Sequence, residues 1–222
     1  AALLHDVVED SEYTNDQISH MFGESIAYIV SGLTKIQGIF DNQSSSMQVE
    51  NFRKLLLSIS DDVRVILIKM ADRLHNMRTL EDMPYAKQLK IASETLYIFA
   101  PLAHRMGLYY MKSEYEDLGL KYTEQDVYKE IAEKLDDFER NDSDYLKRFS
   151  SDIYSLLSSE AFDFSIKRRT KGIFSIRRKM INQGISFEEV YDKYALRILL
   201  DAGPKREKAE IWRAYSIITS VF

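Results

Sequence analysis

Apolar residues recur at three- and four-residue spacing along most of the chain. Val63, Ile66, Leu67, Met70, Leu74 and Met77 make one stripe of a long helix, with Asp61 and Asp62 placed to cap it. Residues 48–59 carry Val49, Phe52, Leu55, Leu56 and Ile59 at the same period, after a polar loop over residues 41–46. Further helices are predicted over residues 26–33 with Gly32 as a stop, 87–97, 109–118 and 124–156. Pro84 marks the far side of the long helix, and Pro101 bends or restarts the path to Gly107. After Glu160 the period changes. Residues 162–166 alternate like a strand, 194–200 form a second β-like run, 201–204 a loop, and 208–222 return to helix. The pattern predicts an α+β chain: an all-α part over residues 1–125, then helical connecting sequence and the start of an α/β part over 126–222.

Composition narrows the chemistry. The chain has 222 residues and 45% hydrophobic residues, enough to bury a core. A net charge of −5 argues against a strongly basic nucleic-acid binder while leaving room for a local basic patch. With no Cys, a disulfide scaffold, a thiolate metal site and a Cys nucleophile are excluded. No apolar run approaches a membrane span; the one at residues 65–68 is broken by Lys69. The chain starts in helix-like sequence without a signal peptide and stops inside an apolar run, so it reads as a piece of a longer protein.

Two polar groupings interrupt the apolar pattern. His5, Asp6, Glu9 and Asp10 fall within six residues; on one helix His5 would pair with Glu9 and Asp6 with Asp10. Imidazole beside carboxylate can hold a divalent metal, and it equally fits an acidic helix N-terminus at the surface. In the string Lys69-Met-Ala-Asp-Arg-Leu-His-Asn-Met-Arg-Thr79, Asp72, Asn76 and Thr79 line one polar stripe. A carboxylate in so apolar a helix needs a partner, which a metal or an ion pair with Lys69 or Arg73 would supply. Of the other histidines, His20 reads as a surface residue and His104 as a packed, hydrogen-bonded structural one.

Residues 165–187 hold seven basic side chains and no acid: Lys167, Arg168, Arg169, Lys171, Arg177, Arg178 and Lys179. Phe174 is the one aromatic in the cluster, which is poor for stacking single-stranded nucleic acid. A triphosphate suits guanidinium forks better, and a solvated basic face explains the cluster without any ligand.

The strings His5-Asp-Val-Val-Glu-Asp10, Asn51-Phe-Arg-Lys54, Arg64 to Leu80 and Ala100-Pro-Leu-Ala-His-Arg-Met-Gly107 resemble the RelA/SpoT homologues, which make and destroy the alarmones (p)ppGpp. The resemblance implies an all-α His-Asp metal-hydrolase domain followed by the start of a nucleotidyltransferase-like synthetase domain. It implies His5, Asp6 and Asp72 as ligands of Mn²⁺, and Glu9 and Asp10 as the pair that activates water and moves protons. Asn76 and Thr79 then contact the nucleotide. A further family His, expected upstream, is not in this sequence. Arg169-Thr-Lys-Gly-Ile-Phe-Ser-Ile-Arg-Arg-Lys-Met180 and Tyr191-Asp-Lys-Tyr-Ala-Leu-Arg-Ile198 resemble the opening of the synthetase domain. That match implies Arg169, Lys171, Ser175, Arg177 and Lys179 as the surroundings of ATP, with Mg²⁺ ligands expected outside this chain. Gly172 stands where the family usually has His, and Phe174 where it often has Tyr.

The implied partners are guanine nucleotides (ppGpp, pppGpp, GDP, GTP) and ATP, in the bacterial cytoplasm, with no membrane, no direct nucleic acid, and ribosome contact only through other regions. The implied activity is 3′-pyrophosphohydrolysis of ppGpp to GDP and PPi, in a parent that also transfers pyrophosphate from ATP. Two other readings stand beside it. A catalytically silent nucleotide sensor is disfavoured by the intact acids. A generic His-Asp phosphodiesterase has no reason to carry the basic strand and helix.

Overall fold

A computed structural model describes the backbone of residues 1–41 and 62–222. The loop and helix predicted over residues 41–59, the Asn51 string and Asp61 therefore lie, apart from Asp41, outside the described residues. The chain divides into two compact units, Ala1–Thr123 and Glu124–Phe222, two residues before the boundary expected from the sequence. No described helix is long and apolar enough to cross a membrane.

All the regular secondary structure among the first unit's described residues is helical. A 3₁₀ turn (Ala2–Leu4) leads into α1 (Val7–Asp10), α2 (Asn15–Phe22) and α3 (Glu24–Asp41). Then come α4 (Val63–Arg78), a 3₁₀ turn (Leu80–Asp82), α5 (Tyr85–Glu94), a π-helical stretch (Thr95–Phe99), α6 (Ala100–Arg105) and α7 (Tyr109–Thr123). Local chemistry sets several starts. Thr14 and Gln17 form a reciprocal capping box at α2, and Asp62 caps α4 by accepting from the Arg64 N–H. Pro101 sits in the first turn of α6, where its missing N–H costs nothing.

Gly32 does not stop its helix. α3 runs on to Asp41, and a Cβ at Gly32 would stand 3.0 Å from Val65 Cγ2. The glycine serves close packing of α3 on α4, so the sequence reading of it as punctuation is corrected.

The buried face of α4 is Val65, Ile66, Lys69, Met70, Arg73 and Met77. The predicted stripe is thus rotated: Val63 and Leu67 are 47% and 40% exposed, while two cations lie inside. Arg73 stays there because Glu94 pairs with it at 3.3 Å and the Phe99 ring lies 4.6 Å beneath it. Phe99 packs edge-on against Tyr115, whose hydroxyl donates to the Met70 carbonyl and ties α7 to α4. Burial pushes the Tyr115 hydroxyl well above the usual phenol range.

The second unit begins with the 35-residue helix α8 (Gln125–Ser159) and continues through β1 (Phe164–Thr170), α9 (Ile173–Gln183), a 3₁₀ turn (Tyr191–Lys193), β2 (Tyr194–Leu200) and α10 (Glu207–Val221). The strands pair antiparallel from Phe164↔Leu200 to Thr170↔Tyr194. Phe164, Ile166, Leu196, Ile198 and Leu200 pack with Ile153 and Leu157 of α8 and Ala214 and Ile218 of α10. Ile176 of α9 packs instead with Ile131 and Leu135 of α8, together with Phe187 and Val190. β1 extends beyond the predicted 162–166 into the basic segment, because its apolar side is covered while its cationic side faces solvent.

Candidate functional site

In the first unit, α1 begins only at Val7, so His5 precedes the helix and is not one helical turn from Glu9, as the sequence reading supposed. His5 Nε2 lies 2.9 Å from Asp6 Oδ2 and 3.4 Å from Asp72 Oδ1. His5, Asp6 and Asp72 each offer one ligand atom, and these lie within 4.8 Å of one another, bringing together positions 66 apart in sequence. The His5 Nδ1 atom is 2.9 Å from the Ala2 carbonyl, which can only accept. With Nδ1 turned to that carbonyl, Nε2 is the ring nitrogen that faces the carboxylates, the orientation a metal-bound imidazole needs. One imidazole nitrogen and two carboxylate oxygens fit a hard-to-borderline divalent cation.

Asp72 is also tied to its own helix. Lys69 Nζ reaches Asp72 Oδ2 at 2.9 Å, and Asn76 Nδ2 donates to Oδ1 at 3.2 Å. The ion pair weighed as an alternative to a metal site therefore coexists with the ligand cluster. Asp72, Asn76 and Thr79 line a cleft of about 430 Å³ with Lys69, Lys87 and Lys90. Thr79 follows the last turn of α4, and its hydroxyl donates to the His75 carbonyl. Glu9 and Asp10 are exposed on α1, and the N–H groups of both donate to the Asp6 carbonyl. His20 is exposed, as expected; His104, expected to be packed and hydrogen-bonded, is exposed as well, with an edge-on ring contact to Tyr109 at 5.7 Å.

The second unit holds a cleft of about 800 Å³, lined by Arg169, Lys171, Ser175, Arg178, Lys179 and Arg197 among others. Four of the five residues assigned to ATP are in this wall. Arg177 is not; its guanidinium holds Glu124 at 2.9 Å and 3.1 Å. Lys167 and Arg197 stand directly opposite each other across the strands. Like charges so paired destabilise a sheet.

Sequence reasoning missed Arg197 and Asp192. Arg197 alternates with the apolar positions Leu196 and Ile198 of β2, a period-2 signal that places it on the cationic face. Asp192 gives no such signal. It lies 2.7 Å from both Lys171 and Lys179, and hydrogen bonds from these ammonium groups, Lys171 first, hold its carboxyl down to about 2. Its folded pKa is depressed, so whatever stability the bridge adds is complete above the ordinary Asp value of roughly 4 and lost as pH falls towards 2. Because Asp192 is exposed, that contribution is small. A carbon-detected NMR titration is expected to place the Asp192 midpoint near about 2; a midpoint near roughly 4 would show that the two lysines do not hold it.

Residues 1–109 match the HD domain family. The chain is 41% identical over 200 residues to the GTP pyrophosphokinase rsh of Brucella melitensis, covering 90% of this chain and 27% of that protein. It is 40% identical over 223 residues to the probable guanosine-3′,5′-bis(diphosphate) 3′-pyrophosphohydrolase of Synechocystis, covering 100% and 29%. To the guanosine-3′,5′-bis(diphosphate) 3′-pyrophosphohydrolase of Haemophilus influenzae it is 41% identical over 201 residues, covering 90% and 30%. The chain thus spans less than a third of the length of these relatives.

Proposed function

The chain matches RelA/SpoT-type proteins over most of its length and carries an HD domain in residues 1–109, and from that premise we propose that its first unit hydrolyses (p)ppGpp at the 3′ position, releasing PPi and GDP or GTP. The observation that carries this reading is the convergence of His5, Asp6 and Asp72 on one point, with Asp72 shared between that point and the cleft. We assign Mn²⁺ to these three residues. When bound, the ion would polarise a phosphoryl oxygen and lower the pKa of a coordinated water.

The remaining work falls to side chains. Glu9 and Asp10 would orient the water and carry its proton. Asn76 and Thr79 would position the nucleoside, while Lys87 and Lys90 add positive charge to the cleft wall, suited to a polyphosphate. Separating the products of ppGpp incubated with the protein and Mn²⁺ tests this reading: GDP and PPi are expected, and excess EDTA is expected to stop their release. Release of single phosphate groups would favour a generic phosphodiesterase or phosphatase instead.

We assign the basic cleft of the second unit to the polyphosphate of ATP, in a parent protein that transfers pyrophosphate from ATP, with Mg²⁺, to GDP or GTP. Arg169, Lys171 and Lys179 would grip phosphate oxygens, and Ser175 lies at the same wall. Arg177 is withdrawn from direct contact, since it lies outside the cleft wall and pairs with Glu124. Arg169→Ala is expected to weaken ATP binding roughly ten- to hundredfold, the worth of one charged hydrogen-bonding contact. Arg169→Lys should also be impaired, because an ammonium cannot reproduce a guanidinium fork. Isothermal titration with ATP checks both; unchanged affinity in both variants would return the cluster to a solvated face.

A further inference from the structure

Lys69 is placed where stability alone gives no reason for a lysine. It lies on the buried face of α4 beside Ile66 and Met70, and only 6% of it is exposed. A buried ammonium loses its hydration, and even a well-formed buried ion pair adds little over an apolar side chain of similar size. Yet Lys69 reaches one specific atom, Asp72 Oδ2, at 2.9 Å, while Asp72 Oδ1 faces His5 Nε2 at 3.4 Å. Asn76 donates to that same Oδ1 and limits rotation from the other side.

We propose that Lys69 is a positioning residue: the built-in counter-cation of Asp72, holding its carboxylate oriented and compensated before a divalent ion binds, and keeping Oδ2 engaged so that Oδ1 is the oxygen presented to the His5–Asp6 cluster. The inference rests on the metal-site reading above. Its physical consequence has a definite sign. The ammonium and the incoming cation neutralise the same carboxylate, so they oppose each other. Removing the ammonium makes the site bind a divalent ion more tightly while loosening the carboxylate that must be held for reaction. A purely structural ion pair would not oppose the metal in this way.

The test measures Mn²⁺ binding by isothermal titration, Mn²⁺-induced thermal shift, and ppGpp hydrolysis in the full-length parent protein as wild type, Lys69→Met, Lys69→Gln and Lys69→Arg. Methionine keeps the aliphatic stem, and glutamine keeps a hydrogen-bond donor without charge; the comparison uses whichever of the two folds as wild type by circular dichroism. The neutral variant is expected to bind Mn²⁺ roughly tenfold more tightly, to gain a larger thermal shift from it, and to hydrolyse more slowly through kcat rather than KM. Lys69→Arg is expected to restore wild-type Mn²⁺ affinity. Equal or weaker Mn²⁺ binding in the neutral variant would overturn the role given to Lys69 while leaving the metal site standing. Failure of the wild type to bind Mn²⁺ would overturn both.

Discussion

Glu9→Gln and Asp10→Asn are each expected to lower Mn²⁺-dependent ppGpp hydrolysis by roughly 10²–10⁴-fold, the range spanned by one acid–base group. Both changes are nearly isosteric and remove the charge alone. Both residues are exposed, and their backbone N–H groups, which bond the Asp6 carbonyl, are untouched. The fold and the His5–Asp6–Asp72 cluster should therefore survive, and with them Mn²⁺ binding. That combination separates proton handling from metal binding: His5→Ala should lose both. Initial rates at saturating ppGpp, read beside Mn²⁺ titrations, decide between them. Near-wild-type rates in both single variants would remove Glu9 and Asp10 from the chemistry.

The largest effect on stability is expected at Phe99. The residue is fully buried, packs edge-on against Tyr115 and underlies the Arg73 guanidinium. Phe99→Ala should cost about 3–5 kcal/mol, combining lost transfer energy with the cavity left behind. It also removes the apolar platform beneath a buried cation. Denaturant unfolding followed by far-ultraviolet circular dichroism should show the first unit melting at lower urea. Trp212, the sole tryptophan, lies on α10 of the second unit, so its fluorescence transition is expected to move little. A loss below about 1 kcal/mol would contradict the placement of Phe99 at the centre of that core.

The fold was legible wherever one periodicity acted alone. β2 over 194–200 follows from alternation, and the helices after Pro84 follow from spacing and punctuation. Misreadings arose where two demands met on one residue. α4 presents Lys69 and Arg73 inward and Val63 outward because its buried face also serves the cleft, so hydrophobicity gave the wrong rotation. Gly32 looked like a stop because sequence does not reveal the approach of Val65. His5 was placed on a helix because the turn between Leu4 and Val7 has no marker residue.

The candidate site was legible in residue type and much less so in contact. The chemistry of His5, Asp6 and Asp72 follows from their donor atoms and from family resemblance, while their meeting depends on how helices far apart in sequence pack. Arg177 shows the converse. It belongs to the basic string, but the turn of α9 and the acid at Glu124 draw it out of the cleft. Asp192 entered the cleft unforeseen because its role comes from two lysines brought to it by the fold.

The most direct test of the account is where a manganese ion binds. Crystals of the full-length parent protein grown with Mn²⁺ should give one strong anomalous peak in the first unit, bonded to His5 Nε2 and to carboxylate oxygens of Asp6 and Asp72, with Lys69 still on Asp72. A peak elsewhere, or none at these three residues under saturating Mn²⁺, would contradict the metal-hydrolase reading on which the proposed function rests.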